Sequence, residues 1–140
     1  MSIVLRCMAA VVAGLIVAFV LVVAVEVFSA VVHPVPSDFG GTMEETCRHV
    51  AHYPNWVLAL VVPAWGATAF VSTWTAERIG NRWCALFVGI LLVAAVVLNL
   101  SMLPYPVWFK GVTVLAIPTA VVLGSRLPIR RKAIVRSATD

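Results

Sequence analysis

Four long apolar runs decide what this chain can become. They cover residues 7–32, 56–75, 83–103 and 107–124. A helix needs about 20 apolar residues to cross the ~30 Å hydrocarbon core of a bilayer, and each run is near that length. Hydrophobic residues make up 62% of the chain and charged residues 11%, against roughly 45–50% and about 25% in a water-soluble domain. Too little polar surface remains to coat a globule, so the bilayer is the expected solvent. Lipid offers backbone groups no partners, and only helices and closed barrels can span it. Barrel strands read as alternating segments of ~10 residues, and these runs do not alternate. The expected fold is all-α: a polytopic membrane protein with four transmembrane helices in an antiparallel bundle over residues 1–125. A loop and short external helix would occupy 33–55, and a basic tail 126–140. The first run far exceeds the ~7–15 apolar residues of a cleaved signal peptide, and Phe28-Ser29-Ala30 is a poor cleavage site, so it is expected to remain as a span.

The ten Lys and Arg residues set an orientation. Arg6, Arg78, Arg82, Arg126, Arg130, Arg131, Lys132 and Arg136 fall on one side of the expected bundle, and only Arg48 and Lys110 on the other. The positive-inside rule places that first side, with both termini, in the cytoplasm of a bacterial-type inner membrane. The net charge of +4 thereby reports topology rather than nucleic-acid binding. Tyr53, Trp56, Tyr105 and Trp108 would lie at the outer interface, Trp74 and Trp83 at the inner one. The cysteines suggest no disulfide framework. Cys7 and Cys84 would face a reducing compartment, and Cys47 stands alone outside, most simply as a free thiol.

Short connections order the parts. Pro34-Val35-Pro36 must stop the first helix. Thr42 followed three residues later by Glu45 fits a capping box, which predicts a short external helix over 43–52. Pro54 separates it from the second run, Gly80-Asn81 turns the chain between runs two and three, and Pro104-Tyr105-Pro106 turns it between three and four. Such tight turns make consecutive spans neighbours. Ala10, Gly14 and Ala18 in the first run, Ala64, Gly66 and Ala67 in the second, and Ala85 and Gly89 in the third offer close helix contacts. Pro63 and Pro118 interrupt runs two and four and would free the carbonyls of Ala59 and Val114.

The order of these parts resembles a group of small, uncharacterised four-span bacterial membrane proteins. The likeness rests on a late glutamate running into "HPVP", a proline-started second span ending "WTAERIG", a third ending "LNLSMLPYPVWF", and a basic tail. It implies topology and no chemistry, because the group has no established activity. Lys110 and the segment from Glu44 to His52 have no match in it.

Three sets of residues are candidates for function. The first is an intramembrane polar cluster of Glu26, Ser29, His33, Asn99 and Lys110. A carboxylate inside a bilayer is costly unless paired, protonated or hydrated. At 100° per residue Glu26 and His33 share a helix face. Glu26 can be an interhelical clamp, a proton or ion site, or an interfacial side chain. Lys110 can pair with it or extend to the headgroups. The second set is Glu45, His49 and His52 on one face of the external helix, a weak metal-ligand pattern whose simpler reading is a solvated face. The third is Arg126, Arg130, Arg131, Lys132 and Arg136, which suit anionic lipid headgroups or the topology signal alone. Walker, GxGxxG and GxSxG patterns are absent. The expectation is a non-enzymatic structural or accessory protein of the bilayer without a cofactor, self-associating or joined to a larger membrane partner. The alternative is a small oligomeric proton, ion or solute transporter using Glu26.

Overall fold

The computed structural model describes residues 2–126. The chain there is all-helical: α1 (Ile3–Val32), α2 (Met43–Ala51), α3 (Asn55–Ile79), α4 (Arg82–Met102) and α5 (Val107–Arg126). Four of these, all but α2, are long and apolar enough to cross a membrane. Local chemistry sets the boundaries. Ser2 caps α1, its hydroxyl accepting from the Leu5 N–H at 3.3 Å, so the helix begins one turn before the apolar run. It ends at His33, before Pro34. Both halves of the Thr42–Glu45 capping box form at the start of α2. The Asn81 carboxamide oxygen accepts from the N–H groups of Trp83 and Cys84 at 2.8 and 3.1 Å, starting α4. Pro63 and Pro118 sit inside α3 and α5, and both helices continue through them.

The centre of the structure is α3. It packs on α1, α4 and α5, whereas α1 touches α3 and α4 but not α5. Its inward face mixes Ala69 and Ala76 with Thr68, Ser72 and Thr73, all buried. Burying an unpartnered hydroxyl is costly; two of these are satisfied within the helix. Thr68 donates to the Ala64 carbonyl at 2.9 Å and Thr73 to that of Ala69 at 2.7 Å. Thr68 and Thr73 therefore bring neighbouring helices close without stranding their donors, whereas the Ser72 Oγ is buried without a partner.

The expected small-residue contacts are partly realised. Ala10, Gly14, Ala18, Ala85 and Gly89 are buried. A Cβ on Gly14 would meet the Ser72 carbonyl at 3.0 Å and Ala76 at 3.1 Å. The trio in α3 behaves differently: Ala67 is exposed, and a Cβ on Gly66 would touch nothing within 4 Å. Gly124 carries a contact that the spacing did not flag, since a Cβ there would collide with Thr73 and with the Phe70 carbonyl.

One sequence expectation is overturned. Cys7 and Cys84, read as unpaired, are joined by a disulfide with Cα atoms 5.9 Å apart. The starts of α1 and α4 meet where Ala10, Gly80 and Ala85 leave little bulk between the backbones, and that separation is ordinary for a disulfide. Cys47 is free, as expected. At the same end the Arg6 Nε–H donates to the Ile79 carbonyl at 2.6 Å, so a cation sits at the negative end of the α3 dipole.

Candidate functional site

From the Cys7–Cys84 junction α1 and α4 run toward the α2 end, and a cleft opens between them. Its walls are Val22 and Glu26 of α1, Trp65, Thr68 and Ala69 of α3, Leu92, Ala95, Val96 and Asn99 of α4, and Ile117 of α5. The cavity measures about 190 Å³. Glu26 is exposed on its open side. The Asn99 Oδ1 is buried and has no hydrogen-bond partner in the protein. Two members of the expected polar cluster, Glu26 and Asn99, thus share one cleft.

Ser29 and His33 continue the Glu26 face away from the cleft. Ser29 is buried beside the Tyr53 hydroxyl. His33 stacks on His49 of α2, with ring centroids 4.4 Å apart and planes at 24°. Tyr53 closes the group, 4.7 Å from the His33 ring and 5.3 Å from that of His49. The rings pin α2 onto the end of α1. Burial, and then the neighbouring Glu26 charge, push the Tyr53 phenol above its usual range. The same two causes, followed by Tyr53, push Tyr105 far above it. These two tyrosines were read only as interface aromatics, yet both stand in the field of Glu26. The available signal for Tyr53 was its position four residues after His49, just beyond the end of α2.

Lys110 does not join the cluster. Among the described residues the one ion pair is Arg48 with Glu44, at 3.3 Å and exposed; Glu26 and Lys110 form none. The cause is the central position of α3, which keeps α1 off α5.

Nor do Glu45, His49 and His52 converge. The Glu45 carboxylate turns back to the Thr42 N–H, at 3.0 Å. Those Thr42 bonds hold its pKa below the ordinary value. The His52 Nδ1 lies 2.7 Å from the Arg48 carbonyl oxygen, and only His49 turns toward α1. Burial first, then the charges of His33 and His52, hold the His49 imidazole below its usual range. Among the described residues no group of three or more His, Cys, Asp or Glu side chains is arranged to hold a metal ion. Arg126 is exposed at the end of α5; Arg130, Arg131, Lys132 and Arg136 lie outside the described residues.

The chain matches no family model, no curated protein and no solved structure in the comparisons made.

Proposed function

We propose that the protein is a small integral membrane protein of structural or accessory function, without catalytic activity of its own. Its four long helices form an antiparallel bundle in a bacterial-type inner membrane, with both termini cytoplasmic and α2 on the outer surface. Homo-oligomers or a larger membrane protein are its partners. The observation that carries this reading is how the helices are tied. Small residues hold the inner end, and the His33–His49–Tyr53 rings hold the outer end. A body fastened at both ends suits a scaffold better than a carrier that must alternate its access. The basic tail starting at Arg126 supplies the positive-inside signal and meets anionic headgroups.

The Glu26–Asn99 cleft favours a second reading, an oligomeric proton, ion or solute transporter using the carboxylate. Proton flux into proteoliposomes separates the two. The structural role predicts no flux that depends on Glu26. Flux in the wild type that Glu26→Gln abolishes would replace it with the transport reading.

A further inference from the structure

We infer that the cleft between α1 and α4 is a binding site for a small lipophilic ammonium ion, a protonated primary amine on an apolar body of about one aromatic ring. This goes beyond the structural role, which does not require the cleft to be filled.

Three side chains on its wall, Glu26, Asn99 and Thr68, carry acceptor oxygens. The Glu26 carboxylate has no cationic partner among the described residues, because Lys110 is on a helix that α1 does not touch. The Asn99 Oδ1 is buried without a donor. The Thr68 hydroxyl has given its hydrogen to the Ala64 carbonyl and offers only lone pairs. A buried acceptor without a donor is costly, so the complementary ligand brings N–H groups and positive charge. An ammonium group supplies three donors on one atom. Trp65 stands on the same wall, and an indole face attracts cations.

The remaining walls exclude a bare metal ion. Val22, Leu92, Ala95, Val96 and Ile117 are apolar, whereas hard cations take six or more oxygen ligands. The size is set by comparison: an engineered cavity of about 150 Å³ accepts benzene, and this one measures about 190 Å³. One ring with a short amine arm therefore fits.

The test is calorimetric titration of the full-length chain, in nanodiscs of zwitterionic lipid at neutral pH, with phenethylammonium. Phenethyl alcohol keeps the ring without the charge, and trimethyl-phenethylammonium keeps the charge without N–H donors. The amine should bind saturably at one site per chain, and each control should bind about tenfold more weakly or worse. Glu26→Gln should lower amine affinity about tenfold or more. Ala95→Leu, which fills the cavity while leaving every polar group, should abolish saturable binding. Circular dichroism on each variant confirms retained helix content. Three results would overturn the site: amine uptake no greater than in protein-free nanodiscs, equal affinity for the alcohol, or affinity unchanged by both substitutions.

Discussion

His33, at the end of α1, lies face to face with His49 of α2, their ring centroids 4.4 Å apart. A protonated His49 would set its charge against the His33 ring, so the stack makes the docking of α2 sensitive to the protonation of His49.

The sign of the pH dependence follows. Burial and the charges of His33 and His52 hold His49 below its ordinary value of 6.5. Undocked, α2 therefore binds more protons than docked α2 does. The His49 contribution is full above about pH 6.5 and is lost as pH falls from there through the docked value. Glu45, held low by Thr42, acts in a separate window below its ordinary 4.5. Asp38, Arg48 and His52 also line this surface. Amide exchange in α2, corrected for intrinsic rates, should quicken between pH 7.5 and 5.5. The same measurement on His49→Phe should be flat over that interval. An equal acceleration in the variant would remove His49 as the cause.

Two glycines should respond oppositely to an added methyl group. A Cβ on Gly124 runs into Thr73 and the Phe70 carbonyl, whereas one on Gly66 meets nothing within 4 Å. Gly124→Ala should destabilise by about 1–3 kcal/mol, the usual cost of overpacking. Gly66→Ala should stabilise by up to about 1 kcal/mol through helix propensity. Unfolding midpoints in detergent measure both, and equal shifts would contradict the packing around α3.

The separation of Glu26 from Lys110 has an energetic consequence. Stability changes from Glu26→Gln and Lys110→Met should add to within about 0.5 kcal/mol, as for residues that share no contact. A double mutant much more stable than additivity allows would mean that the two charges pair after all.

Much of the helical layout was legible in the sequence because its signals are local. Pro34, Pro54 and Pro106 mark ends, Thr42 and Glu45 announce α2, and apolar length alone identifies four long helices. Packing was much less legible. The long helices are apolar on nearly every side, so periodicity gives no preferred face and did not select Thr68, Ser72 and Thr73 as the inward side of α3. The central place of α3 follows from how three neighbours close around that face, which turn lengths do not encode. For that reason Lys110 looked within reach of Glu26, and Cys7 with Cys84, 77 residues apart, looked unrelated. Glu26 with Asn99 was readable from matching depth in two spans; Tyr53 and Tyr105 were masked by the interfacial role that such aromatics commonly have.

The central claim is an integral membrane bundle with α2 outside and the N-terminus inside. Single-cysteine labelling in intact cells tests it most directly. In a Cys47→Ser background, with Cys7 and Cys84 also changed to serine, one variant carries Ser37→Cys and another Ser2→Cys; both positions are exposed. An impermeant thiol reagent should label Ser37→Cys in intact cells and Ser2→Cys only after the membrane is permeabilised. Labelling of Ser2→Cys in intact cells, with Ser37→Cys protected until permeabilisation, would contradict the orientation, and equal labelling of both in a soluble fraction would contradict membrane insertion itself.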